Sequence, residues 1–324
     1  MQYRQLGKSG VEVSEIGFGA WGIGGGWGER DDKAALAALE RALELGLTFI
    51  DTALGYGEGH SEQLVGQAVQ ASGKEVVVAT KVPPKNRIWP AQKGSTLSET
   101  FPKDYVLECT DKSLENLGVE RVDVLQFHVW DDAWAEQDEW RETVQELKSS
   151  GRVRAFGLSI NDHEPDNALA ALETGLVDSV QVIYNIFDQS PQERLLPACE
   201  RLGVGVIVRV ALDEGGLTGA ITPETEFEEG DWRASYFKGD RKRQVYERTQ
   251  ALGFLTEDGS SLAEAALRFV LSHPAVSTVI PGMRSPGRVE QNVQVSDGNY
   301  LSVKTLDELK AHAWPRNFYR SDDS

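Results

Sequence analysis

The sequence predicts an α/β protein whose 324 residues form one closed (β/α)8 barrel, a single domain over 1–324. Three observations carry that expectation. Eight short β-rich runs recur along the chain, separated by stretches with helical periodicity. Strand alternating with helix implies parallel pairing, and the runs are nearly unbroken in apolar residues, as strands covered on both faces are. The turn expected of an open nucleotide-binding sheet is G-x-G-x-x-G opening the first helix, with an acidic residue about 20 positions later. GFGAWGIGGGWG is rich in glycine but ends in no helix-opening turn of that spacing.

In chain order, YRQLGKSGVEVS reads as a hairpin with its turn at 8–10, placed to plug the barrel bottom. EIGFGA is the first barrel strand. Residues 32–45 form an amphipathic helix with Leu36, Leu39 and Leu43 on one face, and Gly46 announces the strand LTFIDT. The later strands VVVATK, VDVLQFH, VRAFGLS, SVQVIY, VGVIVRVAL and STVIPG follow helical stretches, all but the last pair directly. Those stretches are 61–70, 103–117, 137–148, 166–174, 191–202 and 261–273. Two segments break the alternation: 83–101, with Pro83, Pro84, Pro90 and Pro102 in and around it, and 215–240. Both read as long loops after strands, which in a barrel sit over the active-site mouth. No linker, internal repeat or low-complexity segment interrupts the pattern.

Composition narrows the function classes. A hydrophobic content of 40% supports a large core. No apolar run approaches the roughly 18 residues of a membrane span, and MQYRQLGKSG has no apolar signal core, so a cytoplasmic protein is expected. Two cysteines are too few for a disulfide framework or a closed zinc site. Cys199 shares the helical spacing of Leu195 and Leu202, and both thiols are expected as buried small hydrophobes. A net charge of −18, from 51 acidic and 33 basic side chains, repels polyphosphate and anionic lipid, which argues against nucleic-acid and membrane partners. The basic set is 13 lysines and 20 arginines. Such a surface suits a salt-rich cytoplasm, where screening removes self-repulsion, or it simply keeps an ordinary acidic protein soluble. Nothing in the sequence indicates an oligomer.

The candidate site follows from topology. Trp21, Asp51, Lys81, His128, Ser159, Gln181, Arg209 and Gly282 each stand at or just past the C-terminal end of a predicted strand. A barrel gathers these ends into one ring. Reducing a carbonyl needs a hydride at carbon and a proton at oxygen. A free tyrosine has a pKa of about 10, and an adjacent ammonium lowers it. Lys81 can supply that charge to Tyr56, Asp51 is the fixed anion a buried lysine needs, and neutral His128 can donate to the carbonyl oxygen. No metal is required, and the hydride must come from a cofactor.

The segments SEIGFGAW, TFIDTALGYG, VVVATKV, VLQFHVW and STVIPGMRSPGRVEQNV, in this order, resemble the aldo-keto reductase family over nearly the whole chain. The resemblance implies Tyr56 as general acid, Lys81 and Asp51 as its tuning pair and His128 as the orienting donor. It implies NADP(H) as cofactor, with Arg288 on the 2′-phosphate, Arg284 on the same loop, Asn292 on adenine and Gln291 where the family often has glutamate. A helix opening after Ser285 and Pro286 beside two arginines is also a sound phosphate cradle on physical grounds. Ser159, Asn161 and Gln181 are expected at the nicotinamide carboxamide, with Tyr184 stacked on the ring. Main-chain N–H groups of Leu212, Glu214 and Gly216 are expected around the pyrophosphate, although the side chains of Asp213 and Glu214 would repel it. Gly19, Ala20, Trp21, Asp51, Arg209, Ala211 and Gly282 complete the cofactor set, and Trp21, Tyr56, Trp89, His128 and Trp130, with Trp27, form the candidate substrate pocket.

The implied function is reversible NADPH-dependent reduction of aldehydes, ketones or sugar-like carbonyls. One alternative is a nicotinamide-binding regulatory subunit of the same fold, like the reductase-fold β subunits of potassium channels. Another is a phosphate-binding barrel lyase or isomerase using Lys81 as a Schiff base, which the dinucleotide-like C-terminal segment disfavours.

Overall fold

The computed structural model describes residues 1–25 and 30–319. A hairpin of β1 (Tyr3–Gln5) and β2 (Glu12–Ser14) precedes eight parallel strands: β3 (Phe18–Gly19), β4 (Phe49–Asp51), β5 (Val77–Val82), β6 (Val122–Phe127), β7 (Val153–Ser159), β8 (Ser179–Ile183), β9 (Gly205–Arg209) and β10 (Val276–Val279). Neighbours in sequence are neighbours in the sheet from β3 to β10. The ends meet through parallel bridges between Ile16 and Val279 and between Gly19 and Gly282, which close the barrel. Gly19 is required at this seam, because a Cβ there would lie 2.6 Å from the carbonyl oxygen of Ile280.

The helices between strands follow the predicted stripes. Asp32–Glu44 is capped by the Asp31 carboxylate accepting from the Ala34 N–H, and it buries Ala35, Ala38, Leu39, Ala42 and Leu43. Lys103–Leu117 stops at Gly118, whose φ of 65° is the left-handed conformation that ends helices. His60–Ser72, Asp138–Ser149, Leu169–Glu173, Leu195–Leu202 and Leu262–Leu271 fall within a few residues of the predicted ranges. Arg241–Gln250 is a helix the sequence reading did not anticipate; eight of its ten residues are polar or charged, so its apolar stripe is almost invisible. Both cysteines are free and buried, and burial pushes the thiols of Cys109 and Cys199 up to about 11 and about 12.

Leu6, Val11 and Val13 of the hairpin pack with Phe49, Ala79, Val124, Ala155, Ile207 and Ile280, the inward side chains of the strands. The hairpin therefore fills the barrel bottom as predicted, each buried aliphatic contributing about 1.5–3 kcal/mol. Arg4 fastens it to the last barrel unit through the carbonyl oxygens of Leu271 and Val276 and the buried carboxylate of Glu15. With the bottom filled, ligand access is left to the C-terminal rim. Among the described residues no helix is long and apolar enough to cross a membrane.

Candidate active site

Strand register brings the chemistry together. Asp51 ends β4 and Lys81 lies near the end of β5, both almost completely buried. Lys81 Nζ donates to Asp51 Oδ1 at 2.5 Å, to the Thr52 carbonyl at 2.8 Å and to Tyr56 Oη at 3.2 Å. Tyr56 sits on the turn after β4, held by its N–H on the Ala53 carbonyl, with the ammonium 4.8 Å from its ring centroid. His128 follows β6 and packs edge-on against Tyr56, centroids 5.6 Å apart. It lines a cavity, and its Nδ1 is buried without a hydrogen-bond partner among the described residues.

The electrostatics correct one expectation. Burial pushes the Tyr56 phenol above its ordinary pKa, outweighing the lowering by Lys81 and Arg209. The phenol is thus held as the protonated donor, not as an acidified one. Burial works against the Lys81 ammonium too, but Asp51 and Tyr56 outweigh it and hold Lys81 charged. Burial, then Lys81 and Arg209, hold His128 well below the ordinary histidine range, so it is the neutral imidazole expected.

These groups line or underlie one cavity of about 1200 Å³. At its mouth stand Trp21 and Trp89, 36% and 47% exposed, the latter edge-on to His128 with centroids 4.4 Å apart. Ser159, Gln181, Arg209, Ala211, Leu212, Glu214, Gly19 and Gly282 line it, and so do Arg284, Arg288, Gln291 and Asn292, which flank the start of the helix Pro286–Val293. There Arg288 donates to Gln291 at 3.0 Å, a neutral partner that leaves the guanidinium charge uncompensated by that contact.

Five expectations need revision. Tyr184 is buried behind the sheet against Phe269 and His273, its hydroxyl accepting from Gln192, because three residues from inward-facing Gln181 a strand side chain points to the opposite face. Trp130 is buried among Phe127, Trp134 and Trp140 and does not reach the cavity. Ala20 is enclosed, its N–H on the Asp51 carbonyl and its carbonyl accepting from Ser61. Gly216 faces Asp213 and Val245, and Gly215 takes its place on the cavity wall. Asn161 does line the cavity, but its amide is engaged with the backbone of Ala91. Trp27 lies outside the described residues.

The roof is built by the loop after β9 and the C-terminal segment. Val210, Asp213 and Glu214 all have φ between 51° and 56°, uncommon for non-glycine residues and most unusual for a β-branched valine. Asp213 turns away from the cavity into a buried pair with Arg316 at 2.5 Å and accepts from Tyr236 at 3.2 Å. Glu214 remains on the cavity wall and accepts from Tyr319 Oη. Burial pushes its carboxyl up to about 7. Tyr319, Asp162 beside Arg209 (2.8 Å), Gly215 and, beneath the cavity, Gln126 are site residues that the sequence reading passed over.

Residues 15–313 match the profile of the Aldo/keto reductase family. The chain is 33% identical over 300 residues to aldo-keto reductase YhdN of Bacillus subtilis (strain 168), covering 90% of this chain and 87% of that protein. It is 31% identical over 326 residues to the NADH-specific methylglyoxal reductase of Escherichia coli (strain K12), covering 94% and 97%. The structure of glycerol dehydrogenase AKR11B4 from Gluconobacter oxydans superposes with a TM-score of 0.80 at 28% identity, covering 99% and 98% of the two chains.

Proposed function

The chain belongs to the aldo/keto reductase family of oxidoreductases, and from that premise we propose that residues 1–324 act as one NADPH-dependent carbonyl reductase. The observation that carries the reading is Lys81 Nζ joining Asp51 to Tyr56 Oη beneath a cavity whose wall also holds Arg284 and Arg288. The residues fit such a cofactor: two arginines beside a helix start suit phosphate, and Gln181 lines the nicotinamide end.

When bound, NADPH supplies a hydride from C4 of its nicotinamide, chemistry no side chain provides. Tyr56 protonates the carbonyl oxygen as the carbon accepts the hydride pair, which leaves an alcohol and a tyrosinate. The tyrosinate forms beside the Lys81 ammonium, which stabilises it until solvent returns the proton; Asp51 keeps that ammonium in place. His128 donates to the same oxygen and disperses the charge that develops there. The pocket between Trp21 and Trp89 favours apolar or sugar-like carbonyls, and run in reverse the site oxidises the corresponding alcohols. Two buried free thiols are compatible with a reducing cytoplasm.

Tyr56→Phe removes only the hydroxyl. Aldehyde reduction should fall roughly 100-fold or more while NADPH affinity hardly changes; near-normal turnover would sink the assignment. The Escherichia coli relative is NADH-specific by name, so the preference is tested separately. Arg288→Ala should weaken NADPH by about 10- to 100-fold, the size of a lost charge-assisted contact, and leave NADH nearly unchanged. Equal losses in a fluorescence titration would make that arginine structural.

A further inference from the structure

Asp51 divides its two oxygens between two tasks. Oδ1 takes the Lys81 ammonium, while Oδ2 accepts from Gln181 Nε2 at 2.7 Å and from Gln126 Nε2 at 3.2 Å. A carboxylate only accepts, so each amide must turn its NH2 toward Asp51. The Gln126 oxygen is then directed at Gln181, whose Nε2 lies 3.4 Å from it. Both N–H groups of Gln181 are thereby engaged below, and what remains for the cavity is its carbonyl oxygen.

Gln126 itself is fully buried and does not line the cavity, whereas Gln181 does. Register places it there: Gln126 of β6 is opposite Lys81 of β5 and Gly157 of β7. Gly157 makes the room, since a Cβ at that position would lie 3.1 Å from Gln126 Cγ and 2.5 Å from Ser179 Oγ. A polar amide at such depth is costly unless all its groups are partnered, and here both ends have partners.

We propose that Gln126 is a positioning residue that, together with Asp51, locks the Gln181 amide so that it presents its oxygen, not its NH2, to a primary carboxamide in the cavity. The inference rests on the nicotinamide reading and adds a prediction to it. Ligands with a carboxamide NH2 are favoured over those that carry a methyl ketone at the same position.

Quenching of tryptophan fluorescence by NADP+ and by its 3-acetylpyridine analogue, in which a methyl replaces the amide NH2, reads this directly. Wild type should prefer NADP+ by roughly 5- to 10-fold, the value of one hydrogen bond. In Gln126→Leu, and in the unbranched Gln126→Met should the leucine variant not fold, the ratio should fall about twofold or more, because the Gln181 amide keeps its bond to Asp51 but loses the acceptor that holds its second N–H. Gln126→Glu supplies a readout that mere packing would not move: protonated or ionised, the new carboxyl still accepts from the second N–H of Gln181, so this variant should recover most of the wild-type preference that Gln126→Met loses. A folded Gln126→Met that keeps the wild-type ratio, or a wild type that binds both ligands equally, overturns the inference alone. A wild type that binds neither overturns the cofactor reading and this inference with it.

Discussion

The floor and the roof of the cavity each contain a buried ion pair at 2.5 Å, and the two are built differently. On the floor, Asp51 has partners on both oxygens, and Lys81 directs its donors to Asp51, Thr52 and Tyr56. On the roof, Asp213 Oδ2 and Arg316 Nε are buried without partners among the described residues, and the aspartate sits at a left-handed φ of 51°. Arg316 is held largely by rings, 4.1 Å from the centroid of Trp314 and 4.7 Å from that of Phe318. A saturated pair on strands is fixed in one arrangement. An unsaturated pair on a loop is held by fewer bonds, so the roof depends on its ring contacts more than the floor does.

The largest test of that contrast is to break each pair from its acidic side. Asp51→Asn leaves the Lys81 charge buried beside a neutral amide and should cost about 3–5 kcal/mol of unfolding free energy in urea at pH 7. Asp213→Asn removes a partner that was already short of hydrogen bonds, and should cost less than half as much. Equal losses would erase the distinction between floor and roof.

A smaller effect concerns Glu214, which Tyr319, Asp213, Arg209 and Asp162 surround. Its carboxyl is pushed up to about 7, above the ordinary carboxylate value near 4.3. Between these values the folded chain binds more protons than the unfolded one, so this group's contribution to stability is full below the lower value and is lost as pH rises through about 7. Glu214→Gln should flatten the decline in wild-type stability between pH 5 and 7.5. An unchanged pH profile would mean that the roof carboxyl titrates normally.

The smallest effect separates both pairs from the surface. Net charge is −18, and salt screens exposed carboxylates beyond about 10 Å at 0.1 M while hardly reaching buried groups. The melting temperature should rise between dilute buffer and molar KCl, by the same increment in wild type and Asp213→Asn. A flat response would leave the acidic surface as a matter of solubility and remove the salt-adapted reading.

The difference between floor and roof also explains what could be read in the sequence. Asp51, Lys81 and His128 close apolar runs, and strand ends in a barrel converge whatever the loops do. Gln126 was legible by the same rule, because two residues before His128 a strand side chain returns to the same face. Tyr184 was misread because residue type was allowed to override that alternation, and Trp130 because it lies past the end of β6 at Phe127, where the alternation no longer holds. Tyr319 could not be found: it reaches Glu214 across 105 residues by a chain return that no local pattern encodes. The helix Arg241–Gln250 was missed because so few apolar residues mark its buried side.

The hairpin that fills the barrel bottom has a consequence for how the chain is made. Arg4 binds carbonyl oxygens of residues 267 and 272 positions downstream, and β3 closes the barrel only against β10. At about 5–20 residues per second, the first strand and its hairpin emerge from the ribosome tens of seconds before their partners exist. Throughout that interval Leu6, Val11 and Val13 have no barrel interior to enter, and one edge of β3 stays unpaired. Barrel closure therefore waits for β10, and only the C-terminal segment that completes the roof, with Arg316 and Tyr319, is made after it.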